Sequence, residues 1–162
     1  MLKFYDVDPD YADYLRQFES KVPYIKYDGK NKFVCGIVLN INSCDYYVPV
    51  SSKTIKQQND IIIRDSNNNA ISSLRFGFMF PAPIEVLTEK QISVIRQNDP
   101  AYASLLQKEY EFCRSHESEI MVKARKVYKI GCNPKHYLHQ YCCDFRLLEE
   151  KRKLYFIKLM GK

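Results

Sequence analysis

The sequence predicts one α+β domain over residues 1–162, a small, strongly twisted antiparallel β-barrel or half-barrel decorated by several helices. Three observations predict it. Up to residue 87, short β-branched and aromatic runs separated by turn signals give five or six strands in about 85 residues, a density suited to a small coiled sheet. Beyond Thr88 the apolar residues recur at threes and fours, the period of helices. The chain of 162 residues is 46% hydrophobic, enough for one buried core and close to the usual size of one domain.

Residues 3–7 (KFYDV) read as a short strand. Asp8-Pro9 then starts a helix, with Asp8 as N-cap and Pro9 at the first helical position, where its missing N–H is not needed. Tyr11, Tyr14, Leu15 and Phe18 follow at helical spacing, so one face is buried and the helix ends near Ser20. Residues 21–32 (KVPYIKYDGKNK) form a loop in which Lys21, Lys26, Lys30 and Lys32 interleave with Tyr24 and Tyr27. Cations separated by aromatics suit a single-stranded nucleic acid, whose phosphates attract the cations and whose bases stack on flat rings. The same residues around Asp28-Gly29 also suit a solvated turn, and the strand that follows is what gives them weight.

That strand is 33–41 (FVCGIVLNI). Asn42-Ser43 turns it into a second strand at 46–50, and the antiparallel pairing brings Lys32, at the start of one, beside Ser51 and Ser52 at the end of the other. Tyr47, on the second strand, joins Tyr24 among the aromatic candidates for RNA contact. Residues 61–64 and 74–80 (LRFGFMF) continue the sheet around a polar tip at 66–69. Gly36 and Gly77 mark sharp bends, Pro81 and Pro83 interrupt the pattern, and 84–87 forms a further short strand. In the helical half, Tyr102, Leu105, Leu106, Glu109, Tyr110 and Cys113 stripe a helix that follows Pro100. A helix over 117–129 carries Ile120, Val122 and Val127, with Lys123, Arg125, Lys126 and Lys129 as a candidate second RNA surface. Asn133-Pro134 starts a short helix through His139, and Asp144 caps a last one (FRLLEEKRKLYFIKL).

Lys and Arg number 25 against 19 Asp and Glu, a net +6 that favours a polyanionic partner. The opening MLKFYDVDPD has no apolar region or small-residue cleavage site, no run approaches a membrane span, and the six cysteines follow no disulfide framework. A cytoplasmic protein with free thiols and no membrane partner is expected.

The stretch 45–58 (DYYVPVSSKTIKQQ) concentrates the chemistry. A buried strand delivers at its end Ser51, Ser52, Lys53, Thr54 and Lys56, and hydroxyls beside ammonium groups are what a phosphodiester needs. Ser-Ser-Lys alone is ordinary turn composition; its neighbours single it out. No nucleophile elbow accompanies the three histidines, all of which lie in the helical half. Cys132, His136, His139, Cys142 and Cys143 have the residue types of a zinc site but a poor spacing for a tetrahedron. No glycine-rich phosphate loop appears, and acidic residues do not cluster as a two-metal nuclease requires. What remains is a site without metal or cofactor, suited to cleavage of RNA by its own 2′-hydroxyl, where a protein needs only to hold the attacking oxygen in line and stabilise charge on the phosphate. The other class consistent with this basic surface is a non-catalytic RNA-binding barrel.

The runs KFVCGIVLNI, YYVPVSSK, FMFPAPIEVL and CDFRLLEEKRK, with the PAY…LLQKEYEF helix, resemble in order and spacing the ToxN/AbiQ family, endoribonuclease toxins of type III toxin–antitoxin systems. The resemblance implies a twisted barrel related to the MazF/Kid-like toxins. It also implies metal-independent, sequence-selective cleavage leaving a 2′,3′-cyclic phosphate and a 5′-hydroxyl, on cellular or phage RNA. A small repeated antitoxin RNA is implied as the inhibitor, processed by the toxin and bound in a closed protein–RNA assembly, with phage defence or plasmid maintenance as the biology. The family's serine falls on Ser52, its preceding hydroxyl on Ser51 and its lysine at the strand start on Lys32; its upstream tyrosine matches Tyr27 after a one-residue shift. Where the family reads Ser-Pro-Lys, this chain reads Ser52-Lys53-Thr54, so the catalytic lysine is Lys53 or Lys56. The expected roles are Ser52 at the 2′-hydroxyl, Lys32 and Lys53 on the phosphorane, and Ser51, Thr54 and Tyr27 completing the pocket.

Overall fold

The structure, a computed structural model, describes residues 1–27 and 30–161, leaving aside the side chains of Tyr27, Lys30 and Asn31. Strand β1 (Lys3–Val7) leads into α1 (Pro9–Arg16), whose N-cap Asp8 accepts a hydrogen bond from Asp10 N. A minimal hairpin, β2 (Lys26–Tyr27) with β3 (Lys30–Asn31), precedes the long pair β4 (Phe33–Ile41) and β5 (Cys44–Ser51). Then come β6 (Asp60–Arg64), β7 (Ala70–Arg75), β8 (Phe80–Pro81) and β9 (Leu87–Glu89), followed by α2 (Ile92–Asn98), α3 (Pro100–Ser115), α4 (Glu117–Gly131) and α5 (Phe145–Met160).

The main sheet is antiparallel, in the order β6-β7-β5-β4-β1-β9, with β8 also paired to β5. Strand β5 divides its partners: Tyr46 and Tyr47 pair with β8, whereas Val50 and Ser51 pair with β7. The sheet therefore coils sharply around β5. Its register against β4 shifts between Gly36 and Leu39, and the Tyr47 ring occupies the space where a Cβ on Gly36 would stand. A sharp bend at this glycine is thus what the close approach of the ring requires.

Closure into a barrel is not seen: β6 and β9, at the two ends of the order, do not pair among the described residues. Helices complete the core instead, with α3 packed on β6 and α4 on β4. Buried Tyr11, Tyr46, Phe76, Phe80 and Phe145 fill the space between the layers. Helix α5 is tied to the sheet by Glu149, which accepts hydrogen bonds from Tyr46 Oη (2.5 Å), Tyr128 Oη (2.8 Å) and Asn42 Nδ2 (3.0 Å).

Three local expectations give way to tertiary contacts. The run 74–80 is not one strand: β7 stops at Arg75, and Phe76–Phe78 forms a 3₁₀ turn pressed against the segment before α5. Cys143 N donates to Gly77 O (2.8 Å), and a Cβ at Gly77 would stand 2.5 Å from Tyr141 O, so only glycine fits this approach. Residues 84–86 form a 3₁₀ turn before β9, and the expected helix from Asn133 is a series of turns ending in a 3₁₀ turn at His139–Tyr141. Helix α2 is additional. All six cysteines are free, and among the described residues no helix is long and apolar enough to cross a membrane.

Candidate functional site

The β-sheet gathers its cations at one end. Strand β4 pairs Val34 with Pro49 of β5, and continuing that register two residues outward brings Lys32 level with Ser51. Lys32 N donates to Ile25 O (2.7 Å), which fixes where the strand begins. On its other side Ser51 pairs with Ser73 of β7, and Arg75, two residues further, projects to the same face. Arg75 pairs in turn with Asp60 of β6. Partial burial holds the Lys32 ammonium below the usual lysine value, and the charges of Lys53 and Arg75 add to the effect. Lys32, Lys53 and Arg75 thus share one electrostatic field beside Ser51 and Ser52.

Ser51 Oγ accepts a hydrogen bond from Lys53 N (3.2 Å), a serine turn that directs the chain out of β5. Ser52, Lys53, Thr54 and Lys56 are exposed at the mouth. No helical turn follows Ser52, so Lys53 and Lys56 do not share a helix face. They lie near different cations: the charge of Lys53 is felt at Lys32, and that of Lys56 at Lys123 of α4.

Lys123 Nζ donates to Gln58 O (2.9 Å), and burial, followed by the charges of Lys126 and Lys56, lowers its pKa. The basic edge of α4 therefore adjoins the loop after the candidate serine and extends the same surface instead of forming a separate one. Arg125, Lys126 and Lys129 are exposed along that helix.

Arg75 joins the candidate site by its position, which no local feature of the sequence announces. Its side chain is only 17% exposed, with Nε 3.2 Å from Asp60 Oδ1 and the guanidinium carbon 5.2 Å from the Phe78 ring centroid. Asp60 is buried, which raises its pKa, while the Gln57 N–H on Oδ2 (3.1 Å) and the Arg75 charge oppose the rise. The available signal was a lone cation within the apolar run 74–80, a placement that a folded protein usually keeps only when the cation is paired or used.

Other sequence candidates fall elsewhere. Tyr47 is a correction: it is buried in the core, edge-on to Tyr5 (5.5 Å between centroids), and presents no face to RNA. Its place in an apolar strand, paired to Gly36, explains the burial. Lys21 is engaged by Glu19 (3.8 Å), which also accepts hydrogen bonds from Lys21 N (3.2 Å) and, at the start of α5, from Asp144 N (2.7 Å). Tyr24 is exposed, with the Arg16 guanidinium 3.4 Å from its ring centroid, and Lys26 is exposed on β2. The side chains of Tyr27 and Lys30 lie outside the described residues. Among the described residues no three His, Cys, Asp or Glu side chains converge to hold a metal ion. His136 Nδ1 is taken up by Leu138 N (3.1 Å), His139 Nδ1 lies 3.4 Å from Ile130 O, and Cys143 is buried in the core.

Residues 3–153 match the family model described as toxin ToxN of the type III toxin–antitoxin system. The chain is 33% identical over 162 residues to the endoribonuclease ToxN of Bacillus thuringiensis subsp. kurstaki, covering 94% of this chain and 84% of that protein. A solved structure from work on bacterial type III toxin–antitoxin systems, in which a non-coding RNA pseudoknot selectively inhibits a toxin, superposes with a TM-score of 0.89 at 33% identity, covering 95% of this chain and 97% of that one. The structure of AbiQ, a lactococcal anti-phage endoribonuclease of a type III system, superposes with a TM-score of 0.84 at 28% identity, covering 96% and 98%. In sequence and in fold alike, the chain belongs to the ToxN family, the toxins of type III toxin–antitoxin systems.

Proposed function

We propose that this protein is a metal-independent, sequence-selective endoribonuclease that cleaves single-stranded RNA by attack of a 2′-hydroxyl on the adjacent phosphorus. The 2′-oxygen bonds to phosphorus, the bond to the 5′-oxygen breaks, and the products carry a 2′,3′-cyclic phosphate and a 5′-hydroxyl. One proton leaves the attacking hydroxyl and one reaches the departing oxygen. The reading rests on the convergence of Lys32, Ser51, Ser52, Lys53 and Arg75 at one end of the sheet.

In this reading Ser52, placed just past the end of β5, orients the 2′-hydroxyl or handles its proton. Lys32 and Lys53 stabilise the charge that grows on the phosphorane, and Arg75 adds a third cation, held in place by Asp60. Ser51 shapes the turn through its bond to Lys53 N, and Thr54 and Tyr27 complete the pocket. Lys53 is favoured over Lys56 as the catalytic lysine because it lies near Lys32 and follows Ser52 directly, whereas Lys56 lies near Lys123. Lys26, Lys56, Lys123, Arg125, Lys126 and Lys129 supply phosphate contacts along a surface that continues from the site. The inhibitor is a small repeated antitoxin RNA, which the toxin processes and with which it forms a closed assembly. Targets are cellular or phage RNAs, as the anti-phage role of AbiQ supports.

Ser52→Ala tests the assignment. The side chain is exposed, so its loss costs little stability, yet a positioning group is worth about 10²-fold or more in rate. The variant is expected to bind antitoxin RNA normally and to lose toxicity and cleavage. Near-normal cleavage by a folded Ser52→Ala protein would remove Ser52 from the mechanism.

A further inference from the structure

Beside the basic mouth lies a cleft of about 460 Å³ whose aromatic residues have no role above, although it shares Arg75 with the mouth. It opens between the loop at 57–60, the Phe76–Phe78 turn and the segment before α5, and its walls include Arg75, Phe78, Tyr137, Tyr141 and Gln58. Tyr137 and Tyr141 both line it and are 69% and 57% exposed, so two rings are available to a ligand from one space. They are not loose. The Tyr137 hydroxyl donates to Gln58 Oε1 (3.0 Å), and the His136 ring stacks behind Tyr137 at 4.9 Å and 16°. The segment carrying Tyr141 is clamped by Cys143 N on Gly77 O (2.8 Å) and by Asn59 Nδ2 on Cys142 Sγ (3.6 Å).

Position adds a second line of reasoning. Arg75, which lines the cleft, also contributes to the field on Lys32, and Gln58, which lines it too, is held through its carbonyl by Lys123. The cleft thus borders both the cations of the catalytic mouth, through Arg75, and the basic edge of α4, through Gln58. An RNA backbone that follows both groups passes the opening, with a base free to turn inward. Exposed aromatic rings on a held segment beside cations that attract phosphate are an arrangement that holds an unstacked base of a single strand.

We propose that this cleft is a nucleobase subsite, in which an unpaired base next to the scissile phosphate stacks on Tyr137 and Tyr141 and is selected by the polar groups of the wall around Gln58. The inference rests on the RNA-cleaving reading above and adds to it the element that reads sequence.

The test is single-turnover cleavage of a randomised RNA pool by the full chain, with the cut sites read by sequencing, for the wild type and for Tyr137→Ala, Tyr141→Ala and Tyr137→Phe. Both alanine variants are expected to cut the preferred sequences about 5- to 100-fold more slowly, the loss that follows removal of one stacking ring. Their nucleotide preference should relax at one position flanking the cut and persist at others, while Tyr137→Phe, which keeps the ring, should retain most of the rate. Alanine variants with unchanged rate and unchanged preference overturn the subsite and leave the nuclease reading intact. A uniform fall in rate with preference unchanged also overturns it, since that is what mere structural damage produces. A wild type that leaves the pool uncut refutes the nuclease reading itself.

Discussion

At the scale of single residues, the electrostatics of the mouth determine what Lys32 can do. Its ammonium is held below the ordinary lysine value of 10.5, by burial first and then by Lys53 and Arg75. A lysine that acts as a cation loses its effect as pH rises through its pKa, and a lowered pKa moves that loss to lower pH. Background-corrected cleavage is therefore expected to start falling below pH 10.5, with a rate that rises through the same range contradicting the cationic role. The two lysines after Ser52 should separate similarly. Lys53→Ala is expected to lower the single-turnover rate by about 10² to 10³-fold, the usual effect of removing one transition-state donor, while Lys56→Ala chiefly weakens binding. The opposite ranking, measured with saturating enzyme on one RNA, transfers the catalytic role to Lys56.

At the scale of elements, the molecule depends on contacts that join its two halves. Glu149 of α5 receives Tyr46, Tyr128 and Asn42, and the Tyr46 hydroxyl is buried, so Glu149→Ala leaves a donor with only the longer bond to Phe145 O (3.3 Å). A loss of about 1 to 3 kcal/mol in urea unfolding is expected, with the cleavage rate of the folded fraction unchanged. Stability within about 0.5 kcal/mol of wild type would show that these bonds do not anchor the helix. Such long-range contacts also separate what was legible in the sequence from what was not. Strand 33–41, the caps at Asp8 and Asp144 and the helix from Pro100 were legible because pattern and capping are local. The convergence of Lys32 with Ser51 and Ser52 followed from one hairpin. Arg75 did not, since its place beside them depends on β5 changing partners from β8 to β7, which no local signal announces. Tyr47 was misjudged for the same reason: a tyrosine on a strand shows its face only when the neighbouring strand is known. The open sheet, completed by α3 and α4, is likewise a matter of packing.

At the scale of the whole molecule, the net charge of +6 is collected partly into a surface that runs from Lys32 and Lys53 past the loop at 57–60 to Lys123 and Lys126. Binding of the antitoxin RNA should accordingly weaken steeply with salt. Removing one lysine–phosphate pair should reduce the log–log slope by roughly 0.7 to 0.9, so a Lys123/Lys126 double alanine variant that leaves the slope unchanged removes α4 from the interface. This surface is proposed to cut RNA with its own side chains and without a metal. Incubating purified protein with mixed-sequence RNA in EDTA and identifying the ends of the products tests it most directly. Fragments with 2′,3′-cyclic phosphate and 5′-hydroxyl ends, absent with Ser52→Ala, are the expected result; tightly bound but intact RNA, or cleavage restored only by an added divalent metal, would contradict it.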